Sequence, residues 1–179
     1  MKKMMAFLLC VTALSTADVT VVNTVSGGLS LAVGNGSDHT NPGLTVCIEP
    51  IGKFSKYFGV GGHVEYAWIT FQKPSYSVVN DYGAGVHFWD LSFVPKGYLP
   101  LSADMNLTGE FDPGVYMTYA YIHGNGFSDH NFDTHFGLTM GFSFNVNAFA
   151  FGFRFKSVFT DNDPTSWVSF TVGYVISGM

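Results

Sequence analysis

The chain has 179 residues and a formal net charge of −5, and 47% of its residues are hydrophobic whereas only 12% are charged. An acidic balance excludes nucleic-acid binding, which requires a basic face. Soluble domains carry about 25% charged residues. The low charge and a mean hydropathy of +0.22 therefore argue against an ordinary soluble protein.

The first 17 residues have the organisation of a secretory signal peptide. Lys2 and Lys3 precede an apolar run from Met4 to Leu14, and small residues then lead to a cleavage site near Ala17. The run is too short for a membrane-spanning helix, which needs about 20 apolar residues. We therefore expect this segment to be removed, which takes away two lysines and changes the net charge from −5 to −7.

Alternation of apolar and polar residues predicts β-strands along the rest of the chain. The first three predicted strands lie around residues 25–33, 44–49 and 60–68. Their alternation is less regular than that of the later strands.

The fourth and fifth predicted strands each contain an irregularity. The fourth covers Gly83 to Val94, and its alternation shifts near Asp90, which predicts a β-bulge. The fifth covers Leu107 to Ile122 and contains Pro113, which cannot donate a ladder hydrogen bond. We expect either a bulge at Pro113 or a later start of this strand.

The last three predicted strands have the strongest pattern. Strict alternation from Thr134 to Asn145 places Phe, Leu and Met side chains on one face. After a tight turn at Asn145–Asn147, a phenylalanine-rich strand runs from Phe149 to Phe159. The last strand runs from Val168 to Ile176.

The total is eight strands, and bacterial transmembrane barrels have an even number. We therefore predict an all-β fold for residues 18–179, an eight-stranded antiparallel up-and-down transmembrane β-barrel. The predicted extracellular loops are the polar segments Asn35–Asn41, Lys73–Asp81, Asn125–Asp133 and Asp161–Ser166. The predicted periplasmic connections are Lys53–Lys56, Asn145–Asn147 and a longer link at Pro95–Asp104.

The composition of the two strand faces indicates which of them meets lipid. One face carries mainly Gly, Ser, Thr and Ala, whereas the other is crowded with Phe, Tyr, Leu, Val and Trp. Small side chains inside and large apolar ones outside suit a narrow barrel in lipid, although a soluble secreted sandwich also alternates. Aromatic residues near the outer strand ends form a predicted girdle at the membrane–water interface: Trp68, Phe71, Tyr119, Tyr121, Phe159 and Trp167.

Charged residues on the small-residue face are expected to pair inside the lumen, because unpaired buried charges are costly. We expect Arg154 and Lys156 each to lie between carboxylates. The histidines His63, His87 and His135 are assigned to the same face. The predicted luminal ionic network consists of Glu49, Glu65, Glu110, Asp112, Arg154 and Lys156.

Two sequence features carry a family resemblance: glycine-spaced, aromatic-rich hairpins, and the ending Trp167-Val168-Ser169-Phe170-Thr171-Val172-Gly173-Tyr174-Val175-Ile176. In these features the chain resembles the outer-membrane β-barrel domains related to OmpA and OmpX. The resemblance implies a bacterial outer-membrane location, contact with lipid and lipopolysaccharide, and insertion by the barrel assembly machinery, with the protein as a monomer. In that family the last strand usually ends in an aromatic residue, whereas this chain continues to Ser177-Gly178-Met179.

We therefore expect a non-enzymatic integral outer-membrane protein with a structural or surface-interaction role and without cofactor or metal. Its scattered histidines lack the spacing of a zinc site, and Cys47 remains alone after signal-peptide removal, so no intrachain disulfide can form. One alternative is a small gated pore in which luminal ion pairs rearrange. A second is a lipid-modifying enzyme, for which Ser128, Asp129 and His130 supply suitable residue types.

Overall fold

The computed structural model describes residues 19–34, 37–72, 82–160 and 165–177, which form eight β-strands and one turn of 3-10 helix at Ser37–His39. Each strand pairs antiparallel with the next, and β1 pairs with β8, so the barrel is closed. The predicted fold is thus confirmed. The strands are β1 (Thr20–Val33), β2 (Gly43–Lys53), β3 (Phe58–Thr70), β4 (Gly83–Pro100), β5 (Met105–Gly124), β6 (Phe127–Val146), β7 (Phe149–Phe159) and β8 (Thr165–Ser177).

The two ends of the barrel differ in their connections. Short turns at residues 54–57, 101–104 and 147–148 lie at one end, together with the start of β1 and the end of β8. The opposite end has a short turn, at residues 125–126, but longer connections at residues 34–42 and 71–82. Short turns of transmembrane barrels face the periplasm, so we name the end with three short turns the periplasmic end and the opposite one the extracellular end. Within the described residues, no helix has the length and apolar character needed to cross a membrane.

The bulge predicted near Asp90 is wrong, because β4 pairs with β3 in one unbroken register from Gly85 to Gly97. Val86 and Phe88 point into the lumen, whereas Leu91 points outward. The alternation itself is regular. The residues that β4 points into the lumen change from polar to apolar toward the extracellular end.

Proline at position 113 interrupts hydrogen bonding without shifting the strand. Ser92 pairs with Gly114 and Lys96 with Glu110, so the same register holds on both sides of the gap. On the other edge of β5, Pro113 lies opposite Leu138 of β6. The strand accommodates proline with neither a bulge nor a later start.

The predicted loop Asn125–Asp133 is also wrong, because β6 already begins at Phe127. The connection is the dipeptide Asn125-Gly126, whose φ angles of 47° and 79° are the positive values that a two-residue hairpin turn uses. Similarly, β4 extends into the predicted link Pro95–Asp104 and shortens it to residues 101–104. The predicted signal peptide, the predicted loop Lys73–Asp81 and residues 161–164 lie outside the described part of the chain.

The barrel surface is apolar and its interior largely polar. Large hydrophobic side chains on all eight strands are exposed on the outside, and Leu44, Phe93 and Phe142 are each more than half exposed. Every strand contributes at least one buried charged or hydroxyl side chain. This is the distribution of a transmembrane barrel, which faces lipid with apolar side chains and keeps polar ones in its lumen.

Candidate functional sites in the lumen and at the extracellular end

Four charged side chains form a closed ring in the periplasmic half of the lumen. Lys96 of β4 contacts Glu49 of β2 and lies 2.8 Å from Glu110 Oε2 of β5. Arg154 of β7 donates through Nη2 to Glu49 Oε2 at 2.7 Å and through Nε to Glu110. Each carboxylate therefore meets two cations and each cation meets two carboxylates. We call this group the lower ring.

A second ring lies next to it on the extracellular side. Lys156 Nζ is 2.5 Å from Glu65 Oε2 and 3.4 Å from Asp90 Oδ2. His63 Nε2 is 3.0 Å and 3.9 Å from the same two carboxylate oxygens. His63 Nδ1 also lies 3.5 Å from Glu49 Oε2 and so joins this upper ring to the lower one.

The two rings close the middle of the lumen. All eight side chains are buried, and buried ions are tolerated where partners compensate their lost hydration. With His63 as imidazolium, the rings hold four negative and four positive charges. Gly141 leaves the space for the lower ring, because a Cβ there would lie 2.7 Å from Glu110 Oε1 and 2.9 Å from Arg154 Cγ.

Most of the predicted luminal ionic network lies in the two rings. Five of its six members belong to the two rings, and Arg154 and Lys156 each lie between two carboxylates. Asp112 belongs to neither ring. It is fully buried, and neither of its carboxylate oxygens has a hydrogen-bond partner among the described residues.

Three ring members were not assigned to the network from the sequence. Asp90 was missed because of the assumed bulge, and Lys96 because it was placed in a periplasmic link. His63 was assigned to the lumen but not to an ion pair. Uninterrupted alternation along β4 would have found the first two, since Asp90, Ser92, Val94 and Lys96 all face inward.

The thiol of Cys47 lies beside the rings. Its Sγ is 2.8 Å from Ser26 Oγ and 3.4 Å from Arg154 Nη1. Cys47, His63 and Glu65 bring three possible metal-ligand atoms within 4.8 Å of one another. His63 and Glu65 are already paired in the upper ring, and a guanidinium touches the thiol, so the arrangement disfavours a metal cation.

An apolar layer covers the rings on the extracellular side. The indole of Trp167 packs against Phe88 with ring centroids 4.4 Å apart and meets Tyr116 edge-on at 5.9 Å. The Tyr116 hydroxyl lies 2.5 Å from Thr139 Oγ1. Trp167 is 1% exposed, so its assignment to the outer girdle is wrong: it has the parity of Ser169 and points inward.

The other predicted girdle residues divide between the two faces. Trp68, Tyr119, Tyr121 and Phe159 have the outward parity of their strands. Phe71 instead follows the inward parity of Ile69 and lines the extracellular mouth of the lumen.

The histidine at position 87 lies outside the barrel, so its assignment to the lumen is wrong. It pairs with Trp68 on one side and Tyr119 on the other, and it stacks on Trp68 and Trp89 at centroid distances of 6.0 Å. The Tyr66 hydroxyl lies 2.6 Å from His87 Nδ1. Outward aromatic rings of β3 to β5 thus surround one imidazole near the extracellular end.

The β5–β6 hairpin extends past the strands that follow it. β5 and β6 are the longest strands, with 20 residues each. Their pairing continues to Gly124 and Phe127, whereas pairing between β6 and β7 begins only at Phe136. Within the described part of the chain, residues 127–135 therefore pair with β5 alone. Residues 127–134 are all exposed.

The predicted catalytic candidates lie in this hairpin and not in a loop. Ser128 and His130 project from one face of β6 and Asp129 from the other, because successive strand residues alternate. The Asp129 carboxylate instead accepts a hydrogen bond from the backbone N–H of His130 at 2.9 Å. The three side chains do not converge on one point.

Solved structures of several outer-membrane proteins share this architecture. Ail of Yersinia pestis, solved with the heparin analogue sucrose octasulfate, superposes with a TM-score of 0.61 at 14% identity, over 88% of this chain and 99% of that one. Neisserial surface protein A gives 0.57 at 11% identity, over 87% and 96%. The N-terminal barrel of Pseudomonas aeruginosa OprF gives 0.53 at 8% identity, over 88% and 97%.

The fold is that of the small outer-membrane barrels. The predicted resemblance to the domains related to OmpA and OmpX is confirmed at this level. No protein-family model matches the sequence, and no curated protein matches it. At these identities the likeness establishes the architecture, and function has to be argued from the residues of this chain.

Proposed function

We propose that this chain is an integral outer-membrane protein, without enzymatic activity, that binds partners at the cell surface. The apolar outer surface of the barrel supports a membrane location, since soluble monomers rarely expose contiguous apolar patches beyond a few hundred Å². In this proposal residues 1–17 direct export and are removed. The barrel assembly machinery then inserts residues 18–179 as a monomer in contact with lipid and lipopolysaccharide.

Membrane fractionation tests the location. We expect the protein in the outer-membrane fraction, and we expect unboiled samples to migrate differently from boiled ones on a denaturing gel, as folded barrels do. Recovery as a soluble periplasmic protein with no such shift would overturn the proposal.

The unpaired edge of β6 is the observation that carries the surface-interaction role. Nine residues, 127–135, pair on one side only within the described chain. An exposed strand edge presents unpaired backbone N–H and C=O groups and can accept another strand. The hairpin therefore offers an extended partner a ready site for strand addition.

The charge of the hairpin indicates which partner fits. Asp129 and Asp133 are exposed on β6, and outside the lumen no described residue at the extracellular end is Lys or Arg. A partner segment with positive charge is therefore complementary. The sulfated ligand in the Ail structure is a polyanion, so that ligand class does not suit the described surface of this chain.

A peptide-binding experiment tests the hairpin. The probe is a labelled nine-residue peptide of alternating Lys and Thr, added to the protein in lipid nanodiscs and followed by fluorescence anisotropy. The matched control is Asp129→Asn/Asp133→Asn, which removes the two carboxylates of β6 and leaves its pairing with β5 in place. We expect saturable binding that weakens with salt and is weaker in the Asn variant. Equal binding by both proteins, or equal binding of an alternating Glu and Thr peptide, contradicts the proposal.

The small gated pore is the second candidate, and one cavity favours it. A polar vestibule of about 440 Å³ opens from the periplasmic end and is lined by Glu49, Lys96 and Arg154 of the lower ring. An ion leaving the vestibule would have to pass both rings and the apolar layer. Planar-bilayer recordings test the gate, which requires conductance to change in Arg154→Ala and Glu110→Ala variants; unchanged conductance contradicts it.

A further inference from the structure

A second cavity occupies the extracellular part of the lumen, with a volume of about 660 Å³. Its floor and lower walls consist of buried apolar side chains, among them Ile69, Phe88, Val158 and Trp167. Cavities that bind small molecules have volumes of about 300–1,000 Å³ and mainly apolar linings. This one has both properties.

The upper wall of the cavity is polar, and no Asp, Glu, Lys or Arg is among the described residues that line it. The polar groups come instead from hydroxyl side chains and one imidazole, which surround the apolar floor: Ser37, Thr40, Thr118, His135, Thr160, Thr165 and Ser166. A charged ligand would find no counter-ion here, and burying an unpaired charge is costly.

The cavity is blind. Trp167, Phe88 and Tyr116 pack against one another at its base, and the two ion rings lie beneath them. A molecule that enters from the extracellular end therefore stops at the aromatic floor. The geometry suits a compact ligand and does not suit a long chain threaded through the barrel.

We propose that this cavity is a binding site for a compact, uncharged, largely apolar molecule with one or two hydrogen-bonding groups at its outer end. The apolar body contacts the floor, where burial of apolar surface is favourable. The hydrogen-bonding groups meet the hydroxyl and imidazole groups of the upper wall. Of the described residues, this site shares His135 alone with the edge of β6, and the two experiments use different probes, so either proposal can fail without the other.

The tryptophans of the chain provide a direct test. Trp68 and Trp89 lie on the outer face, whereas Trp167 lies in the cavity floor. A Trp68→Phe/Trp89→Phe variant therefore reports emission from the cavity alone. The probe is 4-bromobenzyl alcohol, a neutral compound whose bromine quenches tryptophan at short range, added to the protein in nanodiscs. We expect quenching that saturates, and no saturable quenching by the anion 4-bromobenzoate.

Space-filling variants in this background separate cavity binding from partition into lipid. Ala120→Phe adds a ring at the cavity wall, and Met117→Phe adds the same ring on the outward face of the same strand. We expect at least a tenfold loss of apparent affinity in Ala120→Phe and unchanged affinity in Met117→Phe. Ala32→Phe is a second filling variant, and the gel-migration shift verifies that each barrel is folded.

Two results would overturn the site. One is quenching that rises linearly with probe concentration and is equal in the filled and control variants, since that is partition into lipid. The other is equal, saturable quenching by 4-bromobenzoate, which a cavity selective for uncharged ligands would not produce.

Discussion

The two parts of the lumen are closed by different kinds of interaction. Toward the periplasm, long charged side chains from opposite walls meet in the two rings, and each is buried only because it has partners. Toward the extracellular end, Phe88, Tyr116 and Trp167 close the lumen by packing. Removing one partner of a buried ion pair leaves an uncompensated charge. Truncating a side chain in the apolar layer instead lowers the free energy of unfolding in proportion to the volume removed. Substitutions in the two parts should therefore differ in size and in kind.

The largest effect is expected from removing a ring cation. Arg154→Ala leaves Glu49 and Glu110 without one of their two partners, and breaking a buried ion pair costs about 4 kcal/mol. Lys56→Ala, on an exposed periplasmic turn, is the control and should change stability by less than about 0.5 kcal/mol. Urea unfolding of the barrel in lipid vesicles measures both. Equal stability of the two variants would mean that the rings are not what holds the lumen closed.

A smaller effect is expected from cutting into the apolar layer. Phe88→Ala removes a ring that packs on Trp167 and should cost about 3 kcal/mol. Phe93→Ala removes the same ring from the lipid-facing side of the same strand, where it is 55% exposed; lipid fills the space that it leaves, so the variant loses only the transfer of the ring from water to lipid and should cost about 2 kcal/mol. The same unfolding measurement compares them. A larger loss for Phe93→Ala would contradict a packed layer.

The hydrogen bond at the boundary of the two parts should contribute less. Tyr116→Phe removes the hydroxyl that lies 2.5 Å from Thr139 Oγ1 and keeps the ring in the apolar layer. A single neutral hydrogen bond contributes about 1 kcal/mol. Thr139→Val, alone and combined with Tyr116→Phe, completes a double-mutant cycle, and additive losses would show that the two hydroxyls do not interact.

The smallest effect is expected at Asp112. Its carboxylate lies outside both rings without a hydrogen-bond partner in the described structure. Asp112→Asn should therefore leave stability within about 1 kcal/mol of the parent or raise it, because an uncompensated buried acid is removed. Glu110→Gln is the matched comparison and should lose about 3 kcal/mol, since it weakens pairs with Lys96 and Arg154. Equal losses would mean that Asp112 has a partner of its own.

The sequence predicted side-chain directions correctly in the strands whose two faces differ most in composition. Along β6 and β7 the outward face is nearly all Phe, Leu and Met and the inward face is small or charged, so parity is evident residue by residue. Arg154 and Lys156 could therefore be placed in the lumen with carboxylates nearby. Which carboxylates meet them depends on strand register around the barrel, and no local pattern contains that information.

The errors arose where the lumen itself is apolar. Because Val86 and Phe88 are hydrophobic, residue type predicts that they point outward, and that assignment shifts the alternation by one residue at Asp90. Trp167 was assigned to the girdle because tryptophan favours the interface, although its parity with Ser169 already placed it inside. Parity would have been a better guide than residue type at each of these positions.

The hairpin turn, in contrast, was predictable. Asn125-Gly126 is the dipeptide most typical of a tight two-residue turn, and both residues adopt the required positive φ. The polar residues that follow it resembled a loop because they have no apolar face. They have none because this part of β6 stands clear of the lumen and is exposed throughout.

The composition of the lower ring constrains how the barrel can be assembled. Its four members come from β2, β4, β5 and β7, and the contact between Glu49 on β2 and Arg154 on β7 requires the pairing of β1 with β8. An open sheet would keep Lys96 beside Glu110, its partner in the β4–β5 pair, but would hold Arg154 apart from Glu49, and poorly compensated charges in a bilayer cost several kcal/mol each. Neutralisation of the interior therefore completes only when the first and last strands join. The chain is therefore expected to close its barrel before its interior is exposed to lipid.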